Sequence, residues 1–233
     1  SMPYRFARLA CMLALVALTV ALAALPAMAR PYPTILGAQP GVYSTNFKPK
    51  TFNNKPIQPL PLWMDMLGRW QKSAACSPVK VPGAPCTTWG WKEALARGHG
   101  MKGVDLLRAV NDAFNDDLRY PYITDKENWG RDDYWATPYQ FLERSGDCED
   151  YAVAKYMALE QLGVADEDMM ILSVKLRVRP DIAHAILIVF IGNDGWVLDI
   201  LNKHVMPQSA AQVLYEPLMA VNTKLCMYLH GVT

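Results

Sequence analysis

Apolar and polar positions follow three different rhythms along this chain, and each predicts a different kind of structure. Residues 9–25 form a nearly continuous apolar run broken by Thr19, with Arg5 and Arg8 before it and Pro26-Ala27-Met28-Ala29 after it. Residues 30–60 lose all periodicity. Pro31, Pro33, Pro40, Pro49, Pro56 and Pro59 are scattered there among Gly, Asn and Ser, which predicts an extended or irregular arm. From Pro61 the period becomes helical: Leu62, Trp63, Met66, Leu67 and Trp70 share a face, and Pro61 suits a first turn. A turn-rich loop around Cys76 and Cys86 separates this helix from a second over residues 89–96, ended by Gly98 and Gly100. A third over residues 104–115 places Leu106, Leu107, Val110 and Phe114 on one side.

Residues 117–140 read as irregular. Beyond Gly146 comes the strongest helical pattern, with Ala152, Tyr156, Leu159 and Leu162 in phase and Gly163 as its stop. The rhythm then changes to strands. Residues 169–179 are rich in β-formers, 184–191 are continuously apolar, Asn193-Asp194-Gly195 reads as a hairpin turn, and 196–200 return. A short helix near 209–214 and an apolar segment at 224–229 complete residues 61–233, which are expected to form one domain. Helices followed by an antiparallel sheet constitute an α+β arrangement, with N-terminal helices packed on the sheet.

Charge and composition sharpen this outline. The order of basic residues, apolar core and small residues in residues 1–29 is that of an export signal, and it predicts a periplasmic protein if cleaved. Removing that segment takes Arg5 and Arg8 from 23 basic residues against 22 acidic, turning a formal +1 into −1. Such a balance, with no basic run, gives no long-range attraction for nucleic acid. Among the cysteines, Cys11 leaves with the signal, Cys76 and Cys86 are placed for a disulfide in an oxidising compartment, and Cys226 sits in an apolar run. Cys148 remains, without an obvious partner and among polar neighbours.

Cys148 stands at the start of the strongest helix, in Ser145-Gly146-Asp147-Cys148-Glu149-Asp150. Free N–H groups at a helix start favour a thiolate and can hold an oxyanion. A proton acceptor is then needed, and His184 begins the apolar strand. Asp199, at the end of the facing strand, could orient the imidazole. With a turn at 193–195, residues 184 and 199 lie several residues out of register. Each member also has an ordinary reading: His184 as a structural strand residue, Asp199 as a strand end, Asp147 and Asp150 as a capping pair. The combination is what suggests nucleophilic catalysis.

The run Gly146-Asp147-Cys148-Glu149-Asp150-Tyr151-Ala152-Val153-Ala154-Lys155-Tyr156 is preceded by Asp133-Tyr134-Trp135-Ala136-Thr137-Pro138 and followed by His184-Ala185-Ile186-Leu187 and Val197-Leu198-Asp199. Together these closely resemble the LapG family of bacterial transglutaminase-like cysteine proteinases, over roughly residues 60–220. The resemblance implies a papain/transglutaminase-like fold and a Cys148–His184–Asp199 triad. It further implies cleavage of the N-terminal region of a large surface adhesin near a di-alanine site, releasing biofilm cells. Control would come from an inner-membrane receptor that responds to cyclic di-GMP. One departure is Ile200, where relatives tend to carry Asn after the triad Asp.

The same resemblance implies calcium dependence, with Asp147 and Glu149 as ligands. Asp125 is a further candidate from the acidic loop, and Asp150 another. The residues themselves supply a reason. Three carboxylates crowd Cys148 and oppose its ionisation, and a hard cation with oxygen ligands would neutralise them. Two other functions fit the same residues: acyl transfer to an amine, as in transglutaminases and amidases, or a non-catalytic module that only binds a receptor.

Overall fold

The computed structural model describes residues 34–40, 51–52, 55–56, 59–73 and 88–230. The segment read as an export signal and the Cys76/Cys86 loop lie outside these residues. Three helices come first: α1 (Pro59–Ser73), α2 (Thr88–Gly98) and α3 (Gly103–Phe114). Two short ones follow, α4 (Asp125–Trp129) and α5 (Pro138–Arg144), and then α6 (Cys148–Gln161). The β-rich half holds β4 (Met169–Leu176), β5 (Arg179–Ile191), β6 (Asp194–Leu198), β7 (Met206–Pro207), α7 (Gln208–Ala211), β8 (Tyr215–Val221) and β9 (Cys226–His230). In the N-terminal arm, β1 (Gln39–Pro40) joins the main sheet beside β9, while β2 (Thr51–Phe52) and β3 (Lys55–Pro56) pair with each other.

The main sheet runs β1-β9-β8-β4-β5-β6-β7, with every neighbour antiparallel. The expected α+β class is therefore the observed one. Against the sheet lies α6, buried without interruption from Asp150 to Leu159. A helix apolar on all sides belongs in a core, not on a surface, and here helices and sheet enclose it. Trp63 from α1 meets Tyr156 of α6 edge-on at 5.2 Å between centroids, and its Nε1 donates to the Asn222 carbonyl at 3.0 Å. Phe141 packs on both Tyr120 and Tyr151. The helix that begins at Cys148 is thus fixed by large aromatic side chains.

Two sequence expectations need correction. Residues 117–140 contain α4 and the start of α5. Each helix opens on a capping box, Thr124 with Glu127 and Thr137 with Gln140, and Pro138 occupies the first turn of α5. The β5–β6 turn is Gly192-Asn193, with Gly192 at φ +65° and Ile191 paired to Asp194. Gly195 lies inside β6. A Cβ there would stand 2.8 Å from Ile188 Cδ1 and 2.9 Å from the Gln208 side chain, so close packing requires this glycine.

Candidate active site

The turn before α6 presents Cys148. Ser145 adopts a positive φ of +60°. At Gly146 a Cβ would fall 2.0 Å from Asp150 Oδ2, so the Asp150 carboxylate occupies the space of a side chain. That carboxylate knots the turn: Oδ2 accepts from the Asp147 N–H at 3.3 Å, and Oδ1 accepts from the Ala136 N–H at 2.6 Å. Asp147 is the N-cap and Cys148 the first helical residue. Residues 120–123 are strapped beside this turn. Tyr151 Oη donates to the Tyr120 carbonyl, Ser145 Oγ donates to the Pro121 carbonyl, and the Ile123 N–H donates to the Gly146 carbonyl at 2.9 Å.

β5 and the residue that follows β6 supply the next two groups. His184 and Asp199 are both buried, and Nε2 lies 2.7 Å from Asp199 Oδ1. The corrected turn explains this contact. Leu187 pairs with Leu198, so His184 stands two residues from the position opposite Asp199, on the same face of the sheet. Asp199 also accepts from Tyr215 Oη and, at 3.1 Å, from the Leu201 N–H. Burial works to raise its pKa, but these donors and the imidazole outweigh it, so the carboxyl sits below its usual range. An ionised Asp199 accepts a hydrogen bond from Nε2–H, which leaves Nδ1 as the ring nitrogen able to accept a proton.

The thiol is adjacent. The Ala185 N–H, one residue after His184, favours ionisation of Cys148, and the thiolate charge would in turn oppose that of the Tyr122 hydroxyl. Cys148 Sγ itself donates to Glu149 Oε2 at 3.2 Å. Burial pushes the thiol well above its ordinary pKa, the Glu149 and Asp147 charges push further, and the Ala185 N–H only partly opposes them. These effects outweigh the helix-start placement that should favour the thiolate.

All four acids expected at a cation are brought together. Carboxylate oxygens of Asp125, Asp147 and Asp150 lie within 4.8 Å of one another, and so do those of Asp125, Asp133 and Glu149. Burial, then neighbouring charge, raises Asp125 to about 7 and Asp133 to about 6. Burial first and like charges next push Glu149 and Asp150 well up, and burial raises Asp147. Among the described residues, none of these five pairs with a lysine or arginine.

A helix-borne cysteine beside a strand-borne His–Asp pair invites comparison with known proteins. The family model described as bacterial transglutaminase-like cysteine proteinase matches residues 89–222, which include every group above. The chain belongs to that family. The proteinase is similar in structure to calcium-bound LapG of Legionella pneumophila, at 25% identity and a TM-score of 0.53, covering 70% of this chain and 87% of that one. The EGTA-treated form of the same protein gives 24% identity, a TM-score of 0.54, and coverage of 68% and 84%. Among curated proteins none matches. The resemblance read around the Asp-Cys-Glu-Asp core is thus borne out, together with the fold it implied.

The residues fit a calcium ion. Asp125 Oδ1 and Asp147 Oδ1 are buried without a hydrogen-bond partner, an arrangement that is costly unless something else is bound there. Oxygen donors from several carboxylates suit a hard dication. Asp150 differs from its neighbours because both its oxygens already serve backbone N–H groups. Sequence reasoning missed three residues. Asp133 lay in the acidic loop without singular spacing, and its place beside Asp125 depends on how α4 turns the chain. Tyr122 is brought beside the Cys148 turn by its pairing with Gly146, and Tyr215 reaches Asp199 across the sheet. Neither relation leaves a local pattern.

Proposed function

We propose that this cysteine peptidase is a calcium-dependent periplasmic endopeptidase with a Cys148–His184–Asp199 triad. Its substrate is the N-terminal region of a large surface adhesin, cut near a di-alanine site to release biofilm cells. A cyclic di-GMP-responsive inner-membrane receptor controls it. The observation that carries the reading is Cys148 at the head of α6, a helix packed on the strand that bears His184, whose Nε2 lies 2.7 Å from Asp199. The export-type pattern of residues 1–29 supports the location. Membership in the family and similarity to LapG support the substrate and the control.

His184 Nδ1 accepts the thiol proton, and Cys148 Sγ attacks the scissile carbonyl carbon. The imidazolium, supported by Asp199 and oriented by it, returns that proton to the leaving amine as the C–N bond breaks. Water then attacks the thioester with His184 again as base, releasing the acid and restoring the thiol. Asp147, Glu149, Asp125 and Asp133 would hold calcium, with Asp150 bracing the turn beneath them. Bound there, the ion supplies the positive charge that offsets carboxylates otherwise opposed to the thiolate.

The test is cleavage of an adhesin N-terminal fragment containing an Ala-Ala bond, followed by mass spectrometry. Two fragments should form with calcium, and none with chelator or with Cys148→Ala. An intact fragment whose mass grows by an added amine donor would identify acyl transfer instead. A fragment left whole by the native protein in calcium would overturn the substrate.

A further inference from the structure

α3, which packs against β6, closes on two buried asparagines one turn apart, Asn111 in its last turn and Asn115 as its C-cap. A primary amide is costly to bury unless its polar atoms are paired. Here the pairing is one-sided. Asn115 Nδ2 donates to the Asp199 carbonyl at 2.7 Å, and Asn111 Nδ2 donates to the Lys203 carbonyl at 2.7 Å. Both Oδ1 atoms are buried without a partner. What the two amides contribute is their N–H groups, and both go to one segment. That segment carries Asp199 with no sheet ladder to hold it: β6 makes its last pairing to β5 at Leu198, and residues 199–203 belong to no strand or helix. Tyr215 Oη and the Leu201 N–H hold the Asp199 carboxylate, whereas the Asn115 amide holds its backbone.

We propose that Asn115 is a positioning residue of the triad: by holding the Asp199 carbonyl it fixes the carboxylate against His184 Nε2. The inference rests on the reading of Cys148, His184 and Asp199 as the triad. Carbonyl and carboxylate leave the same Cα, so a backbone that drifts carries the carboxylate with it. The 2.7 Å contact with His184 tolerates little drift, and a misplacement of about 1 Å can cost on the order of 10²-fold in rate. Asn111 anchors the far end of the segment, at Lys203, whose ammonium also pairs with Asp117. Between Lys203 and Asp199 lies the turn that the Asp199 carboxylate closes with the Leu201 N–H. Loss of the Asn111 amide therefore reaches the carboxylate only weakly, and the two asparagines, alike in burial and bonding, separate in their effect on catalysis.

Asn115→Leu and Asn115→Ser both remove the donor, and the first also keeps the volume. Asn111→Leu is the matched control. With an adhesin fragment as substrate in calcium, both Asn115 variants should lower kcat at least about tenfold with KM within about threefold of native, and Asn111→Leu should stay within about threefold in both. A second reading needs no substrate. In proton NMR the His184 Nε2–H, protected from solvent exchange by its bond to Asp199, should broaden in the Asn115 variants and stay sharp in Asn111→Leu. A native kcat in folded Asn115→Leu overturns the proposal. So does an equal loss in Asn111→Leu, because rigidity of the whole segment would then be what matters. Failure of both Asn115 variants to fold overturns it too, since the amide would then serve the fold and not one carboxylate. Native cleavage by Asp199→Asn would remove the triad and this proposal with it. A native Asn115→Leu beside an inactive Asp199→Asn would overturn the proposal alone.

Discussion

The Cys148 thiol donates its hydrogen bond to Glu149, the next residue along the chain, at 3.2 Å and not to the imidazole of the neighbouring strand. Meanwhile His184 and Asp199 are already joined at 2.7 Å. In the proposed triad the base and its support are thus assembled, while the thiol donates to an acid beside it, which favours its protonated form.

That arrangement makes the thiol's reactivity depend on charge near Glu149. In chelator at neutral pH, iodoacetamide should alkylate Cys148 slowly, and calcium should raise the rate at least roughly tenfold, the effect of one pKa unit on thiolate content. Glu149→Gln keeps the shape and removes the charge, so it should react faster than the native protein in chelator and respond little to calcium. Equal slowness of the two proteins in chelator would show that Glu149 does not hold the thiol protonated.

The other four carboxylates should divide into two groups. Asp125→Asn, Asp147→Asn and Asp133→Asn should weaken calcium binding in calorimetry and reduce the rise in melting temperature that calcium produces. They should leave the calcium-free melting temperature the same or higher, since each removes like charge from a crowded acidic cluster. Asp150→Ala should act differently. It strips acceptors from the Ala136 and Asp147 N–H groups, and each donor left without a partner costs about 1–3 kcal/mol. The calcium-free protein should therefore melt lower. A calcium-free melting temperature equal to native for Asp150→Ala would refute its bracing role.

Asp199 accepts from His184, Tyr215 and the Leu201 N–H, and these bonds keep it ionised in a buried place. Asp199→Asn should lower kcat by about 10² or more, because the imidazole loses the charge that supports its protonated form. Tyr215→Phe removes one donor of three, and a loss of up to about tenfold is expected. The comparison is informative through its order. Tyr215→Phe proving as damaging as Asp199→Asn would mean that the hydroxyl has a role beyond holding the carboxylate.

The sequence made α6 legible because its periodicity continues over four turns and Cys148 sits at its start. It made the antiparallel sheet legible because apolar runs of strand length followed one another. What it concealed depended on contacts between distant residues. Gly195 looked like a turn glycine, yet it is a glycine because Ile188 and Gln208 leave no room for a Cβ. That misreading moved the expected turn and put His184 and Asp199 further out of register than the two residues observed. The two helices hidden in residues 117–140 did leave a local signal, in Thr124 with Glu127 and Thr137-Pro138 with Gln140. It was masked by a density of Asp, Gly and Pro that reads as loop. Asp133 and Tyr122 left none, since both enter the site through the path of the backbone around α4 and the Gly146 bridge.

Lys155 lies two turns beyond Cys148 on the same helix, 1% exposed, with its ammonium 5.8 Å from the Tyr151 ring centroid. Burial lowers its pKa to about 7, against the opposing pull of Asp199 and Asp112. The sign follows from linkage. The unfolded lysine keeps its proton until about pH 10, so between pH 7 and 10 the unfolded chain binds a proton that the folded chain lacks. Stability from this group therefore rises with pH across that window, and the full penalty of the buried charge applies below about pH 7. Lys155→Met has similar length and no charge. It should be more stable than the native protein at pH 6, and the advantage should shrink by about 1.4 kcal/mol for each pH unit above 7. Urea unfolding of both proteins at pH 6, 7.5 and 9, at one fixed calcium concentration, gives the difference directly. A difference that stays constant across the three values would mean that the ammonium does not lose its proton inside the fold.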